Sequence, residues 1–353
     1  MKHLLLFLAT AFIFLNIKAQ NIPLYVGTYT DGSSEGIYKL QFNQKTGELS
    51  HLQLAIATEN PSFIAYSPNK KYLYAVSESL GGSVSSFKIQ ENGLLKFLNK
   101  VSSNGTGPCH ISLNKQGNKA VVSNYGGGSA AIYGISRDGK LNEASQVFEY
   151  NTADKASHAH SGQFFRDELY IADLGMNAVY QYKLKNNSYE LATPSIFKTT
   201  ENPGPRHFAL TKNGQFIYII NEYGSSVTSV KKTDSGFEQI DYDATLDENY
   251  KGKNSCADIH LSKNELYLYG SNRGENSIVV FKRNKFDGTL EKIQTVPVHG
   301  DWPRNFALDP TGKFLLVANQ KSQNISVFSM DASTGTLTFL HDVKVPTPVC
   351  LLF

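Results

Sequence analysis

The chain has 353 residues, of which 41% are hydrophobic, and its 34 Lys and Arg against 31 Asp and Glu give a formal charge of +3. This balance, with no cluster of basic residues along the chain, argues against a nucleic-acid partner. The three cysteines, Cys109, Cys256 and Cys350, are too few and too scattered for a disulfide scaffold, so the packing of a core must supply the stability.

The N-terminus has the pattern of a secretory signal peptide. A basic start is followed by an apolar stretch from Leu4 to Ile17 and by the small residue Ala19. The stretch is short for a bilayer span, and no cysteine follows it to carry a lipid. We therefore predict a signal peptide over residues 1–19 and a mature domain over residues 20–353, periplasmic or secreted and without a membrane anchor. A buried N-terminal strand or helix is the alternative.

One unit recurs along the rest of the chain: a short apolar strand, a turn with Pro, Asn or Gly, a Tyr-rich strand, a polar loop and a third strand that ends in an aromatic residue. Segments 61–87 and 303–328 show it clearly. Seven copies at a nearly constant period indicate a repeat architecture. The residue that closes the second strand recurs every 47 to 51 residues, at Thr28, Ser77, Asn124, Asp173, Asn221, Asn272 and Asn319.

This unit predicts an all-β fold. Alternating apolar and β-branched residues between turn residues are typical of strands, and four antiparallel strands per unit make a propeller blade. The first repeat begins with its second strand at Leu24, whereas the chain ends with a lone first strand, Pro348–Phe353. We predict a single domain, a seven-bladed β-propeller whose ring is closed when the C-terminal strand joins the first blade. An open solenoid is the alternative.

The repeat also predicts where polar side chains converge. A hairpin places the start of its first strand and the end of its second at the same rim, so these residues are expected at one mouth of the channel, where a ligand site is the usual interpretation. Starts of first strands contribute His110, His158, His160, Arg206, His207, His260 and Arg304. Ends of second strands contribute Glu78, Asp173, Glu222 and Arg273.

Several of these residues also have structural interpretations. The Asn and Asp residues that close second strands are expected to satisfy backbone groups at turns. His207 and His260 alternate with apolar neighbours and are typical of hydrogen-bonded core residues. His158 and His160, two apart on a strand, are expected to share one face, which suits a metal pair or proton transfer. The arginines would crowd a cation, so we predict no metal and no cofactor. Guanidinium groups instead favour an anionic ligand.

At these residues the sequence resembles the seven-bladed propeller lactonases of the 6-phosphogluconolactonase type, and more distantly the carboxy-cis,cis-muconate lactonising enzymes. The resemblance covers nearly all of the mature chain. It implies an active site of a His, an Arg and a Glu, which fall on His160, Arg206 and Glu222. The matching segments are Gly107–His110, Ser123–Gly128, His158–His160, Ala172–Gly175, Gly204–His207, Asn221–Glu222, Ser271–Gly274 and Pro303–Phe306.

The resemblance and the residue types together predict a hydrolase that opens a sugar-type lactone. Glu222 and His160 are expected to act as base and acid partners, and Arg206 to stabilise the oxyanion or hold a carboxylate. A small lactone or an anionic sugar acid is the expected partner, and its binding is assigned to His158, Arg273, Arg304, His110 and His207. A muconate-type lactonising isomerase and a non-enzymatic propeller that binds glycan or protein remain alternatives.

Overall fold

The computed structural model describes residues 21–198 and 203–353, so the predicted signal peptide lies outside the described residues. Within these two ranges no helix is long and apolar enough to cross a membrane. All of the regular structure described is β-strand, in seven sheets of four strands each.

The strands follow the predicted repeat. The first blade contains β1 (Asn21–Thr28), β2 (Gly36–Asn43) and β3 (Leu49–Ala57), and the second contains β4 (Ile64–Tyr66), β5 (Tyr72–Ser77), β6 (Ser83–Ile89) and β7 (Leu95–Ser102). The third contains β8 (Pro108–Leu113), β9 (Lys119–Asn124), β10 (Ser129–Ile135) and β11 (Leu141–Glu149), and the fourth β12 (Ala159–Phe165), β13 (Glu168–Asp173), β14 (Ala178–Lys185) and β15 (Ser188–Lys198). The fifth contains β16 (Pro205–Leu210), β17 (Phe216–Asn221), β18 (Ser226–Thr233) and β19 (Gly236–Ala244), and the sixth β20 (Ser255–Leu261), β21 (Tyr267–Arg273), β22 (Ser277–Arg283) and β23 (Leu290–Pro297). The seventh contains β24 (Pro303–Leu308), β25 (Phe314–Asn319), β26 (Asn324–Met330) and β27 (Leu337–Lys344), and the chain ends with β28 (Pro348–Leu352).

The ring closes as predicted. β28 pairs antiparallel with β1, with Leu351 opposite Val26, and the first sheet has the order β28-β1-β2-β3. This pairing covers an edge of β1 that would otherwise offer unpaired backbone groups. The predicted seven-bladed propeller is therefore confirmed, and the open solenoid is excluded.

Neighbouring blades pack through apolar faces, and buried tyrosines fix the packing. The Tyr74 ring lies between the second and third blades, and its hydroxyl donates a hydrogen bond to the carbonyl of Gly139 in a hairpin turn of the next blade. Tyr218 makes the same bond to Gly288. Both glycines have positive φ, 85° and 83°, a conformation that side chains disfavour. Because the bond needs a hydroxyl at the end of a buried ring, it explains the Tyr-rich second strands.

The closing strand should carry a large share of the stability. Leu351 is 6% exposed and packs in the core between the seventh and first blades, whereas Leu340 on the outer strand β27 is 41% exposed. We expect Leu351→Asp to lower the free energy of unfolding by about 3 kcal/mol or more, because a carboxylate would enter an apolar core. Leu340→Asp, the matched control, should change it by about 0.5 kcal/mol or less. Equal melting temperatures for the two variants would contradict this role of β28.

Candidate active site

The innermost strands carry register shifts at residues that face the mouth. In β16, Pro205 pairs with Asn221 and His207 with Ile220, so Arg206 is an extra residue without a partner. The same shift occurs at Cys109 in β8, His160 in β12 and Arg304 in β24. A β-bulge of this kind re-aims side chains. It allows two successive residues to approach the channel, which a regular strand would not.

Glu222 is the centre of the charged cluster at the mouth. It follows β17, and its backbone N–H donates to the carbonyl of Gly204 at 2.7 Å. Its carboxylate contacts Arg206 Nε through Oε2 and Arg273 Nη2 through Oε1, both at 3.0 Å. The Arg206 Nε–H is not well directed at an acceptor, so this contact is a charge contact more than a hydrogen bond. Burial raises the pKa of Glu222, but Arg273 and Arg206 outweigh burial and hold this pKa below its usual value.

The two arginines are themselves anchored to the sixth blade. Arg206 is 2% exposed and its Nη1 donates to the carbonyl of Ala257 at 2.6 Å. Arg273 is 4% exposed, donates from Nη2 to the carbonyl of Cys256 at 2.9 Å, and lies over the ring of Trp302. Burial lowers the pKa of Arg273 to about 10, which leaves the guanidinium charged at neutral pH. Both positive charges are therefore fixed in place before any ligand binds.

Arg304 is held more loosely. Its Nη2 lies 3.7 Å from Glu78 Oε1, and its guanidinium lies over the ring of Tyr29, 5.2 Å from the centroid. The Tyr29 hydroxyl donates to Glu78 Oε2 at 2.8 Å. Burial lowers the pKa of Arg304, but its electrostatic interactions with Tyr29 and Glu78 outweigh burial and raise this pKa above its usual value. Arg304 is therefore a permanent cation without a tight carboxylate partner.

His160 is a buried, neutral imidazole beside this cluster. It is 4% exposed, and its ring meets the edges of the Tyr125 and His207 rings at centroid distances of 5.7 and 5.2 Å. Burial first, and then the charge of Arg206, lower its pKa well below the usual value. Among the described residues it has no hydrogen bond to Glu222. The two residues are linked through Arg206, which acts electrostatically on both.

His158 and His160 were expected to share one face of a strand, but they do not. His158 precedes β12, stacks on the Tyr125 ring at a centroid distance of 4.4 Å, and donates from Nδ1 to the Tyr125 carbonyl. The bulge at His160 breaks the alternation on which a shared face depends. Both rings contact Tyr125, His158 by stacking and His160 edge-on, and no ring contact joins the two histidines among the described residues. In the part of the chain that the structure describes, no group of three or more His, Cys, Asp or Glu is arranged to hold a metal.

The other three histidines predicted at the mouth line a cavity of about 420 Å³: they are His110, His207 and His260. The lining also includes Lys212 and Glu265, turn residues of the opposite rim. His207 also contacts the cluster around Glu222, with its Nε2 3.4 Å from Arg206 Nη1. His207 is hydrogen-bonded through Nδ1 to the buried Asp258, which fits the structural interpretation of this histidine. His260, also on the cavity, contacts the same carboxylate. The arginines and Glu222 thus converge at one mouth, whereas these three histidines line the neighbouring cavity, and His207 lies between the two.

Two contributors to the mouth and one buried acid were missed by the sequence reasoning. Tyr29 and Tyr125 each follow the last residue of a second strand, the position that Glu78 and Glu222 occupy in other blades. This shared position in the repeat could have identified both tyrosines from the sequence. Asp258 lies in the apolar innermost strand β20, where an isolated acid is itself a signal, because buried carboxylates need partners.

Comparisons with known proteins agree with this fold. A sequence model of the family described as "Lactonase, 7-bladed beta-propeller" matches residues 23–353. The 6-phosphogluconolactonase of Formosa agariphila is 37% identical over 335 residues, covering 89% of this chain and 94% of the relative.

Two solved structures share the whole architecture. A putative 6-phosphogluconolactonase from Bacteroides fragilis is 34% identical with a TM-score of 0.86. The periplasmic gluconolactonase of Pseudomonas aeruginosa is 29% identical with a TM-score of 0.88. Each match covers 94% of this chain and 98% of the other. The resemblance noted from the sequence and the expected class of enzyme, a lactone hydrolase, are therefore confirmed: the chain belongs to the lactonase family of seven-bladed β-propellers.

Proposed function

We propose that this protein hydrolyses a sugar-type lactone at the mouth that contains His160, Arg206 and Glu222. The observation that carries the proposal is the buried Arg206–Glu222–Arg273 cluster beside a neutral imidazole. Lactone opening needs a proton acceptor for water, a fixed positive charge for the oxyanion and a proton for the leaving alkoxide. The names of the relatives, 6-phosphogluconolactonase and gluconolactonase, support a sugar-derived substrate.

The electrostatics favour His160 as the base. Its low pKa keeps it neutral, with a lone pair available, at neutral pH. Each carboxylate oxygen of Glu222 already pairs with a guanidinium group that stabilises its charge, whereas His160 has no ion-pair partner among the described residues. In this mechanism His160 takes a proton from the water that attacks the carbonyl carbon, and the same proton then goes to the ring oxygen as the C–O bond breaks. The product is a hydroxy acid, which ionises to its carboxylate. Glu222 holds Arg206 and Arg273 in position.

The arginines would bind the oxygen that becomes charged. Within the described residues Nη2 of Arg206 and Nη1 of Arg273 make no hydrogen bond, so each has donors for a ligand. Fixed donors stabilise a developing oxyanion without reorganising. Arg304, with its loose pairing, is proposed to hold the rest of the substrate, and His158 at the rim to line the entrance. His110 and His207 face the other cavity, and we assign them no substrate contact.

The charge balance favours hydrolysis over the lactonising alternative. The ion-paired cluster has three arginines, Arg206, Arg273 and Arg304, against Glu78 and Glu222, an excess of one positive charge. One positive charge suits a neutral lactone that becomes a monoanion, whereas a muconate-type substrate brings several carboxylates. A purely binding role would leave the buried neutral His160 without a use. Similarity to a periplasmic gluconolactonase supports the proposed export by residues 1–19.

Substitutions should divide the residues by role. We expect His160→Ala and Glu222→Gln to lower kcat by about two orders of magnitude or more, the usual range for the loss of an acid–base group or its support. Arg304→Ala should mainly raise KM, because it removes binding that is equal in ground and transition states. Rates of gluconolactone opening, corrected for the enzyme-free reaction, and melting curves for each variant are the measurements. The exposed His51→Ala is the control. Near-normal turnover in both folded variants would place the site elsewhere.

The pH profile should follow the neutral form of His160. Because its pKa lies well below the usual 6.5, kcat/KM should stay level as the pH falls to 6.5 and decline only at more acidic pH. Arg304 is among the charges that lower this pKa, so Arg304→Ala should move the decline to higher pH. Arg304→Lys keeps the charge and should leave the decline in place. A decline centred at 6.5 or above in the wild type would exclude His160 as the base.

The charge of Glu78 should tune the choice between lactones. Glu78→Gln removes one negative charge beside Arg304, which raises the excess at the mouth to two positive charges. We expect the ratio of kcat/KM for 6-phosphogluconolactone over gluconolactone to rise about fivefold, since a partly screened charge contributes roughly 1 kcal/mol. Glu91→Gln, in an exposed turn on the outer hairpin of the second blade, is the control. An unchanged ratio would show that the substrate does not approach Arg304.

A further inference from the structure

Behind Arg206 lies a buried carboxylate that the mechanism above does not use. Asp258 is 3% exposed and sits at the register shift of β20, the innermost strand of the sixth blade. Its Oδ1 accepts from His207 Nδ1 at 2.8 Å and from the backbone N–H of Ile259 at 3.0 Å. Its Oδ2 accepts from His260 Nε2 at 3.0 Å and from Asn305 Nδ2 at 2.5 Å, with the Phe306 N–H at 3.3 Å.

These contacts determine which nitrogen of His207 carries the proton. A carboxylate only accepts, so the hydrogen bond to Asp258 requires a proton on Nδ1. Burial first, and then the charge of Arg206, lower the pKa of His207 to about 4, so the ring is neutral at neutral pH and Nε2 keeps its lone pair. Burial raises the pKa of Asp258, but His260 and His207 outweigh it and hold the pKa well below its usual value.

The lone pair of His207 faces the Arg206 guanidinium. Nε2 lies 3.4 Å from Arg206 Nη1, the atom that donates to the carbonyl of Ala257. Ala257 directly precedes Asp258. One short segment of β20 therefore positions the side of the guanidinium that faces away from Glu222. It acts directly through the Ala257 carbonyl and indirectly through Asp258, which orients the acceptor nitrogen of His207 toward Arg206. With the other tautomer, an N–H on Nε2 would face an N–H of Arg206, and the two donors would repel.

We propose that Asp258 is a positioning residue for Arg206: by accepting the Nδ1–H of His207 it keeps the Nε2 acceptor facing the guanidinium. Partners that fix the tautomer of a functional histidine are a recurrent device in protein sites. Asp258 does not reach the substrate and acts only through His207. The effect on turnover rests on the proposed function of Arg206, whereas the tautomer itself does not.

Asp258→Asn should reverse the tautomer. The amide has one acceptor and one donor end. Two groups that can only donate, Asn305 Nδ2 and the Phe306 N–H, face the Oδ2 position, against one such group, the Ile259 N–H, at the Oδ1 position. We therefore expect the amide oxygen to face the seventh blade and the amide NH₂ to face His207. His207 can adapt by accepting at Nδ1 and carrying its proton on Nε2, next to Arg206. We expect kcat for lactone hydrolysis to fall at least tenfold while KM changes less than threefold, because the donors for the oxyanion shift.

A matched control separates positioning from stability. Asn305 donates to the same carboxylate but belongs to the seventh blade, and its Oδ1 accepts from the Leu351 N–H, so it ties blades together without touching His207. Asn305→Ala should lower the melting temperature yet keep kcat within threefold of the wild type. If kcat falls equally in Asp258→Asn and Asn305→Ala, the carboxylate has only a structural role.

A double-mutant cycle tests whether Asp258 acts through His207. His207→Phe keeps a ring but removes the acceptor. Asp258→Asn should then add less than a twofold decrease in kcat in the His207→Phe background, against at least tenfold in the wild type. Equal decreases in both backgrounds would overturn the proposal.

The tautomer is measured directly, without substrate, by two-bond ¹H–¹⁵N correlation spectra of the imidazole at neutral pH, with His207 assigned by its loss in His207→Phe. We expect Nδ1–H in the wild type and Nε2–H in Asp258→Asn. A wild-type ring with Nε2–H would overturn the inference even if the variant did not fold. Absence of lactonase activity in the wild type, with Nδ1–H observed, would contradict the proposed function alone.

Discussion

One extra residue near the start of an innermost strand shapes the site of this propeller. The shift at Arg206, and its counterparts at His160 and Arg304, interrupts the two-residue alternation that β-structure otherwise imposes. A regular strand would point Arg206 and His207 to opposite faces. With the bulge, Arg206 reaches Glu222 while its own Nη1 stays within 3.4 Å of His207 Nε2. Ring closure by β28 then brings these strands around one axis.

Burying that much charge is unfavourable unless each group is compensated. Taking charged groups out of water costs several kcal/mol each, and the attraction between them offsets this only with good geometry and further hydrogen bonds. The structure meets both conditions: Glu222 lies between two guanidinium groups, and carbonyls of β20 anchor the same guanidinium groups from behind. The buried Tyr218 hydroxyl links the fifth blade, which carries Arg206, to the sixth blade, which carries the anchoring carbonyls. A rigid scaffold is what fixed oxyanion donors require.

The same charges set the protonation states on which the chemistry depends. Burial, and then positive charge, lower the pKa of His160, while positive charge outweighs burial and lowers the pKa of Glu222, which leaves one group a neutral imidazole and the other an anion at neutral pH. In the proposed mechanism, His160 and Glu222, which the sequence suggested as an acid–base pair, therefore have different roles. On the other side of Arg206, Asp258 contacts His207 Nδ1, and we propose that it holds the His207 proton there.

The sequence by itself determined the seven-bladed architecture, because a 47–51-residue period, turn residues and alternating strands are local features that repeat in the chain. It also predicted that one mouth contains Glu78, Arg206, Glu222, Arg273 and Arg304, because hairpin geometry places the start of the first strand and the end of the second at the same rim. Only the tertiary structure decided the rest. The alternation of residues does not predict a bulge, so the different contacts of His158 and His160 with Tyr125 were not foreseen. Contacts between different blades, such as Asp258 with His207 and Asn305, join residues about 50 positions apart, and their geometry exists only once the ring has closed.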